Sequence, residues 1–534
     1  MNDSSGDAVA REIIGHFVES VADEMIATLV RAAHSPNIKE RADCSAGVLD
    51  ASGQAVALAT NGPVHLGSLL ALIPALIERF PVETLVPGDA FLVNDPYTGG
   101  GSHLNDLTVV APVFAGELVA FVANIGHHSD VGGRVPGSEA GDSTSIYQDG
   151  LRLPPMKLRE AGAVREDIVE LVQLNSRTPA ERLGDLRAQL AACDAGRRRL
   201  GELFQRYGRD AVVGSLEELL DHGERRARAA FARLRPGTYE ATDFLDEDGI
   251  SDQPVPLSVR VDVADRDLHL DLSRCGRQLA TGKNVPLVGL LATAYYVVKA
   301  MVDPSLPTNA GFFRTLRITA PSGSVVNARP PAAVGSRNLT CQILAEALVA
   351  ALSLANPDRA IAGSGIYHGI ILSGVDPRTG AYFVDYDNFA GGSGAGRDAD
   401  GLDSVHVHLT NTSNLPVEAF EIEYPFVVER YELRPDSGGA GRRRGGRGVR
   451  RDLRVLGKDV KLALRSVRQR FPAPGRAGGA PGAPGEVVLY RDGTAKPLGS
   501  TFSELPLEQG DVLSIRTPGG GGFGPPGDRG DGDA

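Results

Sequence analysis

Two short segments carry the residues best suited to chemistry. The first reads Ser-His-Leu-Asn-Asp over 102–106 and follows three glycines, and the second reads Gly-His-His-Ser-Asp over 126–130. Two imidazoles and one carboxylate make a ligand set of intermediate softness that suits Zn, Mn or Fe. A metal ion held by such a set with an open coordination position would be catalytic rather than structural.

A predicted hairpin brings these two segments together. The apolar runs Leu107–Phe114 and Leu118–Ile125 are separated by Ala-Gly-Glu, which predicts two antiparallel strands and a short loop. If the chain turns about Gly116, positions whose numbers sum to about 232 face each other. The two segments then meet at the open end of the hairpin.

This pairing predicts that His103, Asp106 and His128 converge on one metal ion. Neighbouring residues of an extended strand point to opposite faces, so His127 would lie behind the ligands or face the substrate. The alternative is that all of these are hydrogen-bonded loop residues. Four other histidines are weaker candidates, each better explained by a structural role: His65, His368, His406 and His408.

The surrounding sequence predicts an α+β chain with mixed and antiparallel sheets flanked by helices. Helical periodicity marks about 7–34, 66–80, 166–234, 285–303 and 339–355, and alternating or short apolar runs mark strands near 44–59, 91–93 and 259–272. We predict four units: a metal-site module over 1–235, a mixed β/α module over 236–430, a β-rich module over 431–524, and a disordered acidic tail over 525–534.

Charge and composition limit the possible partners. The formal net charge of -12 gives no general attraction to nucleic acid or to an anionic membrane, so a small-molecule substrate is expected. The polar, acidic start is unlike a secretory signal, and the longest apolar stretch, about 285–298, falls short of the ~20 residues that span a bilayer. Four scattered cysteines predict neither disulfides nor a thiolate zinc site, which fits the cytoplasm.

Several glycine-rich segments carry weaker signals. The segment 438–448 contains clustered arginines but no Gly-Lys-Ser/Thr phosphate loop, so we expect a solvated loop or a subunit contact. The Pro/Gly/Ala-rich segment 472–485 is predicted to be a linker, and 517–524 a loop that leads into disorder.

Many separated motifs resemble the hydantoinase B family. This family includes hydantoinase B subunits, the C-terminal half of 5-oxoprolinases and the large subunits of acetone and acetophenone carboxylases. The resemblance runs through Ser-Pro-Asn-Ile-Lys-Glu-Arg at 35–41, Asn-Asp-Pro-Tyr at 94–97, the two histidine segments, Pro-Gly-Ser at 136–138, Asn-Ser-Arg at 175–177, Gly-Asp-Leu-Arg-Ala-Gln at 184–189, Ser-Gly-Gly-Ala-Gly at 437–441 and the closing 518–524.

The resemblance implies one divalent metal, Zn, Mn or Fe, on Asp43, His103, Asp106 and His128. Relatives usually show Asp-Phe-Ser-Cys where this chain has Asp-Cys-Ser-Ala at 43–46, so Glu40 remains a rival for the acidic ligand. The proton-transfer role falls to His127 or Asp130 in this reading.

The resemblance also implies a division of labour between subunits. A separate actin-like A subunit binds ATP and phosphorylates the substrate or bicarbonate, while this chain opens a cyclic amide such as a hydantoin, 5-oxoproline or a lactam. The alternatives are a ketone carboxylase subunit of the acetone or acetophenone type, and a non-catalytic partner that has lost its metal. Each of these implies a hetero-oligomer.

Overall fold

The computed structural model describes residues 3–527 and confirms the predicted α+β class. The helices are α1 (Asp3–Ala32), α2 (Pro36–Lys39), α3 (Leu66–Arg79), α4 (Glu166–Leu174), α5 (Pro179–Tyr207), α6 (Arg209–Phe231), α7 (Leu287–Val302), α8 (Ala310–Phe313), α9 (Arg337–Ala355) and α10 (Val417–Glu423).

The strands form four sheets, of which the first positions the histidine segments. Its strands are β1 (Cys44–Asp50), β2 (Ala55–Thr60), β3 (Ala90–Val93), β4 (Asp106–Ala115), β5 (Glu117–His127), β6 (Met156–Glu160) and β7 (Ala163–Val164). They lie in the order β2-β1-β5-β4-β3-β6-β7, and every pair is antiparallel.

Both faces of the first sheet are buried, because helices cover each side. Alternate residues such as Val48 and Leu49 enter different cores, as the two-residue period of a strand requires. One core contains Met25 of α1 and Cys193 of α5, and the other contains Ile73 of α3. The sheet is therefore a rigid layer whose strand ends can hold side chains in fixed positions.

The β4–β5 hairpin confirms the predicted pairing but differs in register. Phe114 pairs with Leu118 near the turn, whereas Val113 pairs with Ala120, so a bulge inserts one extra residue into β5. Beyond the bulge every pair is shifted by one, and Asp106 faces His127. A one-residue shift moves each side chain to the opposite face of its strand.

The remaining strands are β8 (Gly237–Leu245), β9 (Val255–Ala264), β10 (Asp267–Asp271), β11 (Leu316–Thr319), β12 (His368–Val375), β13 (Tyr382–Phe389), β14 (Phe426–Leu433), β15 (Val449–Val455), β16 (Lys458–Arg465), β17 (Glu486–Arg491), β18 (Thr494–Leu498), β19 (Thr501–Leu507) and β20 (Val512–Arg516). The sheet orders are β11-β10-β9-β8, β13-β12-β16-β19 and β14-β15-β20-β17-β18. Only β10–β11 is parallel among the strand pairs of the described residues. The third sheet draws strands from both sides of position 430, and the module boundaries stay predictions.

Helix α9 runs from the first sheet into the core of the second sheet, β11-β10-β9-β8. It is long and apolar enough by composition to cross a membrane, yet most of it is buried inside the protein, as in a core helix. Its first residue, Arg337, is buried beside the histidine segments, while Leu344 and Leu348 pack in the core of the second sheet.

The glycine-rich segments are ordered: residues 517–524 have no helix or strand, as a loop requires, and the predicted linker 472–485 packs against them. Residues 517–524 are buried, and consecutive amides donate to different segments: Gly519 to Ala483 O, Gly520 to Gly446 O and Gly521 to Gly363 O. The predicted linker 472–485 is one of these neighbours. Glycine allows this packing because the backbones lie too close for a Cβ atom. Of the predicted tail, residues 528–534 lie outside the described part of the chain.

The clustered arginines find partners within the chain. Arg444 and Arg447 both bind Asp403, at 3.1 and 2.7 Å, and Arg450 binds Asp452 at 2.7 Å. Pairing across a subunit contact is therefore not needed to explain these three side chains.

Candidate metal centre

The candidate metal centre lies where β4 begins and β5 ends. Asp106 and His127 face each other across the hairpin, and His103 lies on the tight turn that enters β4. His103 Nε2 is 3.0 Å from Asp106 Oδ1. All three residues are buried, and their potential ligand atoms lie within 4.8 Å of one another. The structure thus brings together one carboxylate and the imidazoles of His103 and His127.

His128, which was predicted as a ligand, contacts Gln189 in this structure and is not part of the cluster, so its ligand role stays a prediction. Its Nε2 lies 3.1 Å from Gln189 Oε1 on α5, on the other side of the strand. Burial is the main reason that its pKa falls to about 4, with nearby Arg182 adding to the effect. The physical cause of the exchange is the bulge in β5, which shifts the register by one and turns His127 towards Asp106.

Asp43 and His65 flank the same centre from the β1–β2 hairpin. Asp43 precedes β1, and its carbonyl accepts the backbone amide of His127 at 3.0 Å. His65 Nε2 lies 3.6 Å from Asp106 Oδ1 and 3.9 Å from Asp43 Oδ1. Burial raises the Asp43 pKa to about 6. The rival Glu40 is exposed at the end of α2, outside this group.

Three charged residues that the motif search missed surround the cluster. Glu139 Oε1 lies 3.2 Å from His103 Nδ1 and 3.3 Å from His127 Nε2, and its other oxygen contacts Arg465. Arg337 donates to Ser102 Oγ at 2.9 Å and lies 3.4 Å from Asp106 Oδ2. Glu139 directly follows the Pro-Gly-Ser motif, a signal that could have been used. The arginines come from α9 and β16, and no local spacing connects them to the histidines.

The protonation states of the cluster suit a divalent metal. Burial lowers the His103 pKa to about 4 and, together with the neighbouring His103, holds the pKa of His127 well below its usual value. Burial would raise the Asp106 pKa, but His103 and Arg337 outweigh it and hold the pKa well below its usual value. Neutral imidazoles beside an ionised carboxylate are the forms that metal ligands must take, so these residues fit the metal.

Asp130 lies buried in the loop after β5 and has structural partners. Its carboxylate accepts from Arg177 Nη1 at 3.0 Å and from the backbone amides of Gly132, Gly137 and Arg177. These bonds order the loop that carries Pro-Gly-Ser and Glu139. The proton-transfer role of Asp130 stays a prediction, and the contacts seen here are those of a loop-ordering residue.

A narrow cavity leads to the centre. It is lined by Asp43, His65, His127 and Arg337, together with Asn388 and the loop over 409–412. The Tyr386 ring lies against His127 at a tilt of 48°, with ring centroids 4.6 Å apart. Two of the weaker candidates lie elsewhere: His408 binds Glu346 at 2.5 Å, and His368 is buried at the start of β12.

Replacing Glu139 with Gln should destabilise the protein markedly. The buried Arg465 loses its counter-charge, and breaking a buried ion pair from one side typically costs about 3–5 kcal/mol. Urea unfolding measures the loss. The control is Glu240→Gln, which breaks the exposed Glu240–Arg274 pair and should cost less than about 1 kcal/mol. Equal effects of the two substitutions would contradict a stabilising role for the buried pair.

Comparison with known proteins gives a match over almost the whole chain. The profile described as Hydantoinase B/oxoprolinase matches residues 7–526. An uncharacterised protein of Methanocaldococcus jannaschii is 36% identical, over 98% of this chain and 92% of that protein. The 5-oxoprolinase of Dictyostelium discoideum is 32% identical over 97% of this chain but only 40% of its own length, so this chain spans about two fifths of that relative.

Solved structures share the architecture. The ATP-dependent caprolactamase of Pseudomonas jessenii has a TM-score of 0.88 at 29% identity, covering 97% of this chain and 91% of its own. The beta subunit of caprolactamase from the same organism is 31% identical over 97% of this chain. A nucleotide-free acetone carboxylase has a TM-score of 0.90 at 20% identity, covering 98% of this chain and 76% of its own, and shows likeness of fold.

Proposed function

Because this chain belongs to the hydantoinase B/oxoprolinase family, we propose that it is the metal-binding B subunit of an ATP-dependent cyclic amide hydrolase. The observation that carries the proposal is the buried cluster of His103, Asp106 and His127, of which His127 also lines a small cavity. These three residues, with Asp43 beside them, would hold one divalent ion, Zn, Mn or Fe.

The chain's own residues prepare the centre for hydrolysis. A bound metal would polarise a carbonyl or lower the pKa of water. Glu139 contacts both imidazoles and so fixes their orientation, and Arg337 favours the ionised form of Asp106. The surrounding core excludes bulk water, which strengthens the electrostatic interactions inside. A metal-bound His127 would not also carry a proton, so we propose the ligand role alone for it.

We propose that ATP is bound by a separate A-type, actin-like subunit. The sequence has no Gly-Lys-Ser/Thr phosphate loop, and the glycine-rich segments pack against one another in the interior rather than forming a loop before a helix. A related caprolactamase is described as having a beta subunit, which supports a hetero-oligomer. Four free, buried cysteines are compatible with the cytoplasm, where we place the complex.

The lone chain should neither bind ATP tightly nor hydrolyse a cyclic amide, whereas the complex should do both. Calorimetric titration of ATP into the purified chain tests the first statement. Assays of hydantoin, 5-oxoproline and caprolactam with and without the co-expressed partner test the second. ATP-dependent turnover by the chain alone would overturn the proposed division of labour.

The same complex distinguishes the alternative activities. Incorporation of labelled bicarbonate into a new carboxylate would identify a ketone carboxylase and contradict the hydrolase proposal. A purified chain that binds no divalent metal under any condition would identify the non-catalytic partner instead.

A further inference from the structure

We propose that His65 is an additional ligand of the metal held by this cluster, an inference that rests on the proposed metal-binding function. His65 lies on the short segment between β2 and α3, in the sequence Asn-Gly-Pro-Val-His over 61–65. It is fully buried and lines the cavity together with Asp43 and His127. The sequence alone made it one of four weaker candidates, for which a structural role was expected.

Hydrogen bonding on one side of the ring fixes its orientation. His65 Nδ1 lies 2.9 Å from Ser45 Oγ, and the Ser45 hydroxyl can donate to Gly62 O at 3.4 Å. A hydroxyl that donates to a carbonyl accepts from the imidazole, so Nδ1 carries the hydrogen. The Nε2 atom then presents a lone pair.

This lone pair faces two carboxylates and has no hydrogen-bond partner. His65 Nε2 is 3.6 Å from Asp106 Oδ1 and 3.9 Å from Asp43 Oδ1, and it is buried without a donor or acceptor in range. These three atoms repel one another in the interior unless a cation lies among them, either a metal ion or a proton on Nε2. Metal ligation satisfies all three, and Ser45 serves as the outer partner that a metal-bound imidazole usually has.

The arrangement also explains why both hairpins end at this point. The β4–β5 hairpin supplies Asp106 and His127, while the β1–β2 hairpin is flanked by Asp43 and His65. Strands β1 and β5 are direct neighbours in the sheet, so the two open ends are held at a fixed spacing. Ligands drawn from both hairpins would connect the segment over 61–65 to the metal.

The test is a titration of Co(II) into the metal-depleted complex of this chain with its partner, followed by visible absorption. We expect His65→Ala to weaken Co(II) binding by at least about 100-fold and to change the cobalt spectrum, because one nitrogen ligand is lost. Ser45→Ala keeps the imidazole but removes its outer partner, so we expect a loss of about 10-fold with a similar spectrum.

His368→Ala is the matched control, since it also removes a fully buried imidazole but outside the cluster. It should leave affinity and spectrum unchanged. If His65→Ala folds by circular dichroism and binds Co(II) with the affinity and spectrum of the unaltered protein, the ligand role of His65 is wrong while the metal centre stands. If the unaltered complex binds no Co(II), the proposed metal centre and this inference both fail.

Discussion

Replacing His127 with Gln should remove the bound metal and abolish activity, whereas replacing His128 with Gln should preserve both. The His127 ring faces His103 at 4.9 Å between centroids and lies opposite Asp106, so its loss breaks the cluster. The His128 ring contacts Gln189 instead, and a glutamine at 128 can still donate to that side chain. Elemental analysis of the purified variants measures the difference.

Two further variants bracket this comparison. His103→Ala removes a residue of the same cluster and should lose the metal and at least about 1,000-fold in activity, while Arg443→Ala, in a remote loop, should retain both. If His128→Gln loses the metal and His127→Gln keeps it, His128 is the ligand, as predicted from the hairpin register without a bulge. Full occupancy in His103→Ala would remove the cluster from consideration.

The finding of His127 where His128 was predicted shows which features of the centre a sequence pattern can predict and which it cannot. Two apolar runs and a short loop were enough to predict the β4–β5 hairpin and the meeting of its two ends. No sequence signal indicated the β-bulge opposite Val113, because any of several adjacent apolar residues in β5 could be the extra one. A single inserted residue then decided which imidazole faces the carboxylate.

Other parts of the centre depend on contacts between distant segments. Arg337 and Arg465 approach Asp106 and Glu139 only after α9 and the third sheet have packed against the first. Likewise, glycine-rich composition is compatible with disorder and with close backbone packing, and only the partners of each segment distinguish the two. Residue types and motifs therefore indicated where a metal centre could lie, and long-range packing determined which other side chains surround it.

The buried closing segment leads to a second large effect, on folding. A Cβ atom on Gly520 would lie 1.9 Å from Ser393 O, far inside contact distance, and the neighbouring atoms belong to the backbone. The Gly520 amide donates to Gly446 O, and its carbonyl accepts from Gly439 N, so the segment is held from several sides. It cannot move aside without breaking bonds to other chain segments.

Gly520→Ala should therefore destabilise the protein by more than about 4 kcal/mol, a loss beyond that of most single substitutions. The stabilisation from a less flexible unfolded chain, about 0.4–1 kcal/mol, is too small to offset it. The control is Gly276→Ala, where the added Cβ meets no atom within 4 Å, and a change within about 0.5 kcal/mol is expected. Urea unfolding of the two variants gives the comparison. If both variants are equally stable, the buried segment over 517–524 tolerates a side chain and its packing does not require glycine.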